Sequence, residues 1–325
     1  MVSVAMCVFN GSEFLAEQLN SLANQNLLPN QLVICDDGST DGSLDIITEF
    51  QKYAPFQVVL HRNAETLGPR RNFQKAISLT SDNSEFIALS DQDDVWYPNK
   101  IKRMVFELKA RPNNGYVFSD ATIIGENTTH LRHRSFWDIL QFTSAMQKKF
   151  VLNKGIDVLM GGNVVQGASL MFRSTLKRVI VPFPELWKYD EWIPFALETR
   201  GFPGYPIAEV LMAYRQHNHN ALGIPKRGLM VGPIRIDRTL SPVDSRYECF
   251  VGVLEHKLKS VQLSSTVSSD ILDMANRRLD HLKTRQRLHS LRCSTRTRLV
   301  LRELLKLNYF RFSEGLTDIV LDFLP

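Results

Sequence analysis

Three carboxylates that follow an apolar run could hold a divalent metal ion. Residues 86–89 have the composition of a buried strand, and Asp91, Asp93 and Asp94 come directly after it. Carboxylates this close repel one another, and burying them without partners costs free energy. A cation among them removes that cost, and ligand sets made only of oxygen suit Mg²⁺ or Mn²⁺, which share their coordination with substrate phosphates. The alternative is an acidic, solvated loop in which one of these residues caps a helix.

Alternating strands and helices would position this acidic turn. Apolar runs predict strands at residues 2–9, 32–35, 56–60, 86–89, 115–119 and 168–172, and helical spacing predicts helices at 13–24, 44–53, 70–79 and 101–111. We expect Ser12 to cap the first helix. The alternation implies a mostly parallel α/β sheet with helices on both faces, and such sheets bind ligands beyond the carboxyl ends of their strands. Those ends carry Asn10, Asp36, Asp37, Asp120 and the acidic turn.

The composition narrows the class of protein. With 44% hydrophobic and 22% charged residues, the 325-residue chain is ordinary for a soluble globular protein. The four cysteines form no C-x-x-C pair, which argues against a zinc site or a disulfide framework. Without a signal-peptide pattern or a run of about 18 apolar residues, we expect a cytoplasmic protein. The absence of G-x-G-x-x-G after the first strand and of G-x-x-x-x-G-K-[ST] argues against dinucleotide binding and against a P-loop NTPase.

Three motifs in this order resemble glycosyltransferase family 2, whose members have the Rossmann-like GT-A fold. They are C-V-F-N-G at 7–11, V-I-C-D-D-G-S-T-D-G at 33–42 and S-D-Q-D-D-V-W at 90–96, and the last is most similar to bacterial rhamnosyltransferase-type members. The match covers residues 1 to about 220. We therefore expect a catalytic domain at 1–222, then a flexible loop and a basic helical region at 223–325. The resemblance implies inverting transfer of a sugar from a nucleotide diphosphate to an acceptor hydroxyl.

The resemblance also implies how the nucleotide base is held. Asp37 would accept a hydrogen bond from the imide N–H of the base, which suits uracil and thymine, and Asp36 would support that pocket. The backbone from Val8 to Asn10 would line the base. The alternative for D-D-G-S is a turn followed by a capped helix.

The resemblance assigns further residues to the ribose, the metal and the phosphates. Asp91 would lie near the ribose or the metal, with Gln92 beside it among the nucleotide-binding residues. Asp93 would coordinate the Mn²⁺ or Mg²⁺ ion that bridges the diphosphate, where the ion acts as a Lewis acid on the leaving group. Arg70 or Arg71 would lie near the phosphates, and the loop before them leaves the choice open.

We expect two segments to line the sugar site, one rich in small residues and one rich in tryptophan. We interpret Gly167, at the end of residues 157–167, as lining the donor sugar, although a glycine-rich connector is the alternative. The segment W-K-Y-D-E-W at 187–192 resembles the H-D-x-W of rhamnosyltransferase-type members, with Tyr189 where histidine is common. Asp190 aligns with the general base that single displacement requires.

The neighbours of Asp190 leave two alternatives open. Glu191 is a competing carboxylate. Trp187 and Trp192 would stack on sugar faces and raise the pKa of Asp190 by drying its surroundings. The alternative is a helix start with Asp190 as N-cap and both tryptophans in the core.

The motif Y-R-Q-H at 214–217 continues the resemblance. His217 would be a further ligand of the metal or the diphosphate, and Arg215 would balance phosphate charge beside the sugars. His219 is left unassigned. Residues 223–245 would form a mobile loop that orders over the donor.

The C-terminal third is basic and helical. Apolar spacing predicts a helix at 268–291, and basic residues dominate from Arg277 to Arg311 with apolar residues between them. A basic amphipathic helix suits an anionic membrane surface, which would make the protein peripheral at the inner face of the plasma membrane and would fit a lipid-linked glycan as acceptor. The alternative is a solvated face that packs on the catalytic domain. Nucleic acid is not an expected partner, since only the basic run is compatible with it.

From these observations we expect the protein to be a metal-dependent inverting glycosyltransferase that acts in bacterial surface-polysaccharide synthesis. The leading donor is dTDP-L-rhamnose, a UDP-sugar is the alternative, and the acceptor is a glycan or lipid-linked glycan. A nucleotidyltransferase would need a basic, glycine-rich loop after the first strand, which N-G-S lacks. A non-catalytic membrane-associated scaffold is a further alternative, and it predicts that Asp93→Ala leaves function intact.

Overall fold

The computed structural model describes residues 1–129, 135–160, 162–185, 187–217, 230–231, 234–235, 251–252, 255, 269–288, 290–309 and 322. Its strands are β1 (Val2–Val8), β2 (Gln31–Asp36), β3 (Gln57–Arg62), β4 (Phe86–Ser90), β5 (Val95–Trp96), β6 (Tyr116–Ile124), β7 (Leu170–Arg173), β8 (Gly204–Arg215), β9 (Met230–Val231) and β10 (Ile234–Arg235). Its helices are α1 (Leu15–Ala23), α2 (Ser43–Gln51), α3 (Gly68–Leu79), α4 (Lys100–Ala110), α5 (Phe136–Leu140), α6 (Ser144–Val151), α7 (Gly155–Leu159), α8 (Lys177–Ile180), α9 (Tyr189–Glu198), α10 (Ser269–Leu288) and α11 (Cys293–Leu305).

An eight-stranded, mostly parallel sheet organises the N-terminal part of the chain, which confirms the predicted fold class. Its strand order is β3-β2-β1-β4-β7-β6-β8-β5. Neighbours β3, β2, β1 and β4 are parallel, as are β6 and β8. Strand β7 is antiparallel to β4 and β6, and the short β5 is antiparallel to β8. The parallel order β2-β1-β4 brings the loops that carry the predicted motifs to one edge of the sheet.

The first helix shows how apolar spacing builds the core. Leu15, Leu19 and Leu22 recur at helical spacing and are each at most 1% exposed, because this face of α1 packs inward against the sheet. Burying a leucine contributes about 1.5–3 kcal/mol. The prediction that Ser12 caps α1 is wrong. The N-cap position is Phe14, and the Ser12 N–H instead donates to Asp41 Oδ2 at 2.9 Å.

The chain divides into two compact units. One contains residues 1–155 and 164–224, and the other contains residues 156–163 and 225–325. The motifs singled out in the sequence up to His217 lie in the first unit, except that residues 157–163 of the small-residue segment 157–167 belong to the second. The predicted mobile loop at 223–245, apart from β9 and β10, and His219 lie outside the described residues. In the part of the chain that is described, no helix is both long enough and apolar enough to cross a bilayer.

The second unit is described mainly through α10 and α11, which pack together through polar as well as apolar groups. His281 Nδ1 lies 2.9 Å from Glu303 Oε2, and both side chains are buried. Arg285 on α10 is bound to Asp322 at 2.6 Å and is itself only 5% exposed. Part of the basic run predicted for the surface is therefore internal to this unit.

Candidate active site

The loops after β1 and β2 are joined by side-chain hydrogen bonds at the carboxyl edge of the sheet. Asn10 has a left-handed backbone conformation with a φ of 47°. Its Oδ1 accepts from the Thr40 N–H at 2.9 Å, and its own N–H donates to Ser39 Oγ at 2.9 Å. Asn10 therefore fixes the shape of this edge, in addition to any contact with a ligand.

Gln92 ties the acidic turn to the end of β1. Its Oε1 accepts from the Phe9 N–H at 2.8 Å, and its Nε2 donates to the Phe9 carbonyl at 3.1 Å. A Cβ on Gly11 would collide with this amide, which explains the glycine. The Phe9 ring, which no sequence motif singles out, is 48% exposed at this edge and offers a flat apolar face. Its position between Val8 and Asn10 was the available signal.

Asp37 holds the loop that leads into α3. Its Oδ1 accepts from Asn63 Nδ2 at 2.7 Å and from the Leu67 N–H at 2.8 Å, and its Oδ2 accepts from the Gly68 N–H at 2.9 Å. A carboxylate can accept about four hydrogen bonds. Asp37 therefore keeps capacity for one more donor, which is what the predicted contact with an imide N–H requires.

Asp36 is fully buried behind Asp37. Its Oδ2 accepts from the N–H groups of Gly38 and Ser39 at 3.2 and 3.1 Å. Its Oδ1 has no hydrogen-bond partner within the described residues. The role of support for the pocket, rather than direct contact, agrees with this burial.

The two candidate arginines at the start of α3 differ in their surroundings. Arg70 donates from Nη1 to the Phe183 carbonyl at 2.9 Å. Arg71 is exposed, and among the described residues it makes no hydrogen bond or ion pair. Arg71 is therefore the one whose guanidinium is available to a phosphate.

Asp93 and His217 lie side by side, although 124 residues separate them in the chain. Asp93 Oδ2 is 2.8 Å from His217 Nε2, and the two side chains are 14% and 6% exposed. The His217 ring packs on Phe14 with 4.8 Å between the centroids. Two ligands at adjacent corners of an octahedral Mg²⁺ site, each about 2.1 Å from the ion, lie about 3 Å apart.

This pair fits a divalent ion that takes its other ligands from water and a diphosphate. Within the described residues, no group of three or more His, Cys, Asp or Glu side chains could hold a metal. Two protein ligands are sufficient for Mg²⁺, which keeps several waters and is often shared with substrate phosphates.

A buried lysine lies beneath the acidic turn. Lys100 is fully buried, donates to the Ala168 carbonyl at 2.5 Å and lies 3.8 Å from the centroid of the Trp96 ring. Burial lowers its pKa well below the usual value, while the charges of Asp94 and Asp91 oppose that shift. The sequence carried a signal for this residue, because Lys100 shares a helix face with the buried Ile101 and Met104.

Two of the acidic residues have raised pKa values. Asp94 is fully buried and accepts from the Arg215 N–H at 3.1 Å, and burial followed by repulsion from Asp93 and Asp91 raises its pKa well above the usual value. Burial, and then the charge of Asp93, raises the pKa of Asp91 to about 7. This turn is therefore an enclosed acidic site in which charge is disfavoured, rather than the solvated loop of the alternative interpretation.

Arg215 stabilises the turn from inside the protein. Its side chain is fully buried, and Nε donates to the Asp93 carbonyl at 2.8 Å while Nη1 donates to the Gly125 carbonyl at 3.0 Å. Nη2 is paired with Glu17. These bonds give Arg215 a structural role and do not favour the predicted place beside phosphates and sugars, because its guanidinium is enclosed by protein.

Helix α9 carries the candidate base and is held against the acidic turn by Tyr189. The Tyr189 hydroxyl donates to Asp91 Oδ1 at 3.1 Å, and its ring stacks on Phe73 of α3 with 3.9 Å between centroids. Gly167 lies directly against this ring, where any Cβ would collide with it. Tyr189, which the sequence presented only as a departure from histidine, thus links three elements of the site.

Asp190 has the properties of a general base that works near neutral pH. The helix begins at Tyr189, so the N-cap position is Lys188 and the interpretation of Asp190 as N-cap is wrong. Asp190 Oδ1 is buried and has no hydrogen-bond partner in the described part of the chain. Burial raises the pKa of Asp190 to about 6, with Lys188 lowering it and Glu191 raising it to smaller extents.

Trp187 and Trp192 lie in the core. They are 5% and 4% exposed, and with Phe195 they form a cluster of rings whose centroids are 4.7 to 6.5 Å apart. Trp192 Nε1 donates to the Ile180 carbonyl at 2.7 Å. The structure therefore agrees with the core alternative for both tryptophans and not with stacking on sugars, because neither ring presents a face to solvent.

Comparison with known proteins identifies the class of enzyme to which this fold and site belong. Residues 3–178 match the family described as Glycosyl transferase family 2. The chain is 35% identical over 232 residues to the dTDP-rhamnosyl transferase RfbG of Shigella flexneri, a match that covers 67% of this chain and 73% of that protein. The chain belongs to glycosyltransferase family 2 and is a glycosyltransferase, which confirms the resemblance to rhamnosyltransferase-type members.

Other similar proteins agree with this class. The abequosyltransferase RfbV of Salmonella typhimurium is 33% identical over 96 residues, 29% of this chain and 28% of that protein. S. aureus TarS 1–349, crystallised with UDP-GlcNAc, superposes with a TM-score of 0.56 at 16% identity, over 99% of this chain and 81% of that one. The mannosyltransferase PcManGT from Pyrobaculum calidifontis, crystallised with GDP-Man and Mn²⁺, superposes with a TM-score of 0.53 at 15% identity, over 99% and 85%. These structural likenesses show the GT-A fold.

Proposed function

We propose that this enzyme transfers a sugar, with L-rhamnose from dTDP-L-rhamnose as the leading donor, by a metal-assisted inverting displacement. The acceptor is a glycan or lipid-linked glycan of bacterial surface polysaccharide. The observation that carries the proposal is the bond from Tyr189 to Asp91. It joins the turn that holds the Asp93–His217 pair to the residue next to Asp190, so that a diphosphate site and a base belong to one constellation.

The base step follows from the environment of Asp190. With a pKa of about 6, its carboxylate is mostly ionised at neutral pH and can remove the proton of the acceptor hydroxyl. The acceptor oxygen then forms its bond to the anomeric carbon as the bond from that carbon to the diphosphate oxygen breaks, which inverts the configuration. Asp93 and His217 would hold Mn²⁺ or Mg²⁺, which supplies Lewis-acid stabilisation of the leaving diphosphate. Arg71, whose side chain is exposed, would add positive charge near the phosphates.

Recognition of the base restricts the donor to a class. The free acceptor capacity of Asp37 suits the imide N–H that uracil and thymine share, and the exposed Phe9 ring suits stacking on a base. This chemistry does not distinguish a dTDP-sugar from a UDP-sugar, which is the second candidate. The identity to a dTDP-rhamnosyl transferase favours dTDP.

A thermal-shift screen of nucleotide diphosphates tests this proposal, because a ligand of the native state raises apparent stability. We expect dTDP to raise the melting temperature in the presence of Mn²⁺, with no such rise for Asp93→Ala. Stabilisation by purine nucleotides alone would contradict the role of Asp37. Full transfer activity in Asp93→Ala would contradict the role of Asp93 as a metal ligand, and no response to any nucleotide would favour the non-catalytic scaffold.

We further propose that the enzyme acts in the cytoplasm at the inner face of the plasma membrane. The basic C-terminal segment supports this proposal, since it would bring the protein to the surface that presents lipid-linked acceptors.

A further inference from the structure

The outward side of α11 combines exposed leucines with exposed basic residues. Leu301 and Leu305 are 48% and 85% exposed, and Leu307, just beyond the helix, is 62% exposed. Basic residues lie among them and are also exposed. We call this set the leucine–arginine face, and its members are Arg298, Leu301, Arg302, Leu305, Lys306 and Leu307.

The orientation of α11 fixes this face outward. The positions 298, 301, 302 and 305 fall on one side of a helix by their spacing. The opposite side is buried, since Val300 is 0% and Glu303 is 3% exposed. Val300 packs with Leu288 and Tyr309 in a separate small core. The leucines cannot turn inward without giving up that core.

Among the described residues, the positive charge of this face is opposed by one nearby carboxylate. Glu303 is the only acidic residue between 298 and 307, and it is engaged with His281 at 2.9 Å and Asn308 at 2.7 Å. It also lies 3.8 Å from Arg302 Nε, and the charge of Lys306 helps to lower the pKa of Glu303. Three cations therefore accompany three leucines on this surface.

Helix α4 provides a contrast within the same protein. It also exposes a large apolar residue, Phe106, which is 62% exposed. There, however, Arg103 is paired with Glu107 and Glu209, and Lys109 is paired with Glu85. The two surfaces expose similar apolar groups, but three carboxylates accompany the cations of α4, whereas Glu303 is the one carboxylate that the described residues place beside the cations of α11.

Some basic residues of α10 are buried, so they do not contribute to a positively charged surface. Arg278 and Arg285 are each 5% exposed, and Arg285 is committed to Asp322. They are unavailable to a partner, so the basic run from Arg277 to Arg311 does not act as one surface. The leucine–arginine face is the part of α11 in which charge and apolar groups are exposed together.

We propose that the leucine–arginine face docks on a membrane surface that contains anionic phospholipid. Leucine side chains gain free energy in the boundary between headgroups and acyl chains, while arginine and lysine lay their stems along that boundary and place their charges at the phosphates. A nucleic acid would bind the cations but would offer nothing to the leucines. The docking itself does not depend on the proposed function. The corollary that the acceptor is lipid-linked does rest on it.

Vesicle sedimentation of the full-length protein tests the proposal. The probes are vesicles of phosphatidylcholine alone and vesicles that also contain phosphatidylglycerol. We expect binding only when phosphatidylglycerol is present, and weaker binding as salt is raised. Arg298→Glu with Arg302→Glu, and separately Leu301→Ser with Leu305→Ser, should each weaken binding by about tenfold or more. The matched control is Lys102→Glu with Lys109→Glu, which changes net charge equally on α4 and should leave binding unchanged.

Several outcomes would overturn the proposal. The first is that the unaltered protein does not bind, and the second is that the control variant loses binding equally. The third is that the unaltered protein is a dimer and that Leu301→Ser with Leu305→Ser makes it a monomer. Unchanged melting temperatures would show that the variants are folded. Transfer to a soluble acceptor should persist in all of them. Docking without transfer would contradict the proposed transfer activity and leave this inference intact. Transfer without docking would contradict this inference and the proposed membrane location but not the proposed transfer activity.

Discussion

The Tyr189 hydroxyl donates a hydrogen bond to Asp91 at 3.1 Å, and the next residue along α9 is Asp190. This bond spans 98 residues of sequence and joins the end of β4 to the helix that carries the base. A displacement of the acidic turn would therefore also displace the start of α9 through this bond. We infer that the diphosphate site and the base are positioned together rather than independently.

Replacing Asp190 by Asn should abolish transfer while leaving nucleotide affinity nearly unchanged. Removing a general base lowers the rate by about 10²–10⁴-fold. The matched control is Glu191→Gln, which alters the neighbouring carboxylate and should keep most of the activity. Steady-state rates and calorimetric dTDP affinity provide the measurement. Loss of nucleotide affinity in Asp190→Asn would remove this residue from the role of base.

The rate should fall on the acid side of about pH 6. Burial raises the pKa of Asp190 to about 6, and the base must be ionised to accept a proton, so kcat/KM should decline as pH drops through that value. A pH profile of kcat/KM checks this. A profile that is flat from pH 5 to 8, roughly the range around that pKa, would contradict the assignment.

The same shift predicts that Asp190 lowers stability at neutral pH. Because the folded state holds this proton more tightly than the unfolded chain, the associated stabilisation is present near pH 4, roughly the unfolded pKa, and is lost as pH rises through about 6. Asp190→Asn should therefore raise the free energy of unfolding above pH 6 by about 1 kcal/mol, which is less than the full pKa shift implies because the side chain is only half-buried. The substitution should have little effect near pH 4, roughly the unfolded pKa. Urea unfolding at both pH values provides the test. An equal change at both would exclude this electrostatic origin.

Sequence alone could predict the sheet and the acidic turn but not the pairing of the later strands. Strands β1, β2 and β4 are continuous apolar runs, so their composition identifies them. The antiparallel placement of β7 between β4 and β6 depends on contacts between distant segments, which local periodicity does not encode. The two-residue β5 is too short to leave a periodic signal.

The sequence predicts a site residue well when the residue belongs to a motif. It predicts poorly the role of a residue that depends on how deeply the side chain is buried. Two separate motifs predict Asp93 and His217, and the two side chains meet at 2.8 Å. The sequence predicts ligand contacts for Trp187, Trp192 and Arg215, with the core as the alternative for the tryptophans, because such side chains suit sugars and phosphates. The same side chains also suit a core, and only the three-dimensional packing shows that all three are at most 5% exposed.

Gly167 should not tolerate a side chain. A Cβ there would collide with the Tyr189 ring, so Gly167→Ala should cost about 1–3 kcal/mol of stability and lower the rate by displacing α9. Gly42→Ala is the matched control, because its Cβ would meet only Ser12 at 3.8 Å. Melting temperatures and transfer rates check both variants. Normal activity in Gly167→Ala would show that the position of Tyr189 does not matter for transfer.

Arg215 should contribute to stability rather than to nucleotide binding. Arg215→Ala keeps the backbone N–H that donates to Asp94, but it leaves the carbonyls of Asp93 and Gly125 without the guanidinium donor and removes the partner of Glu17. It should destabilise the protein by about 1–3 kcal/mol, because buried carbonyls lose their hydrogen bonds. Lys52→Ala, which breaks an exposed ion pair with Glu49, should cost about 1 kcal/mol or less. Urea unfolding distinguishes the two. If Arg215→Lys keeps its stability but loses dTDP affinity, Arg215 is a ligand contact after all.

The Asp93–His217 pair should bind Mn²⁺ together with dTDP. Asp93→Asn and His217→Gln should each weaken Mn²⁺ binding in the presence of dTDP by at least about tenfold, since even groups around a metal site have effects of that size. Isothermal titration of Mn²⁺ into protein with saturating dTDP checks this. Unchanged Mn²⁺ affinity in both variants would place the ion elsewhere.

The most direct test of the central claim is the anomeric configuration of the product that the enzyme forms from dTDP-L-rhamnose and Mn²⁺, determined by NMR for the unaltered protein and for Asp190→Asn. The account predicts a product whose configuration is opposite to that of the donor, and no detectable product from Asp190→Asn. A product with retained configuration, or one formed by Asp190→Asn at the unaltered rate, would contradict single displacement with Asp190 as the base.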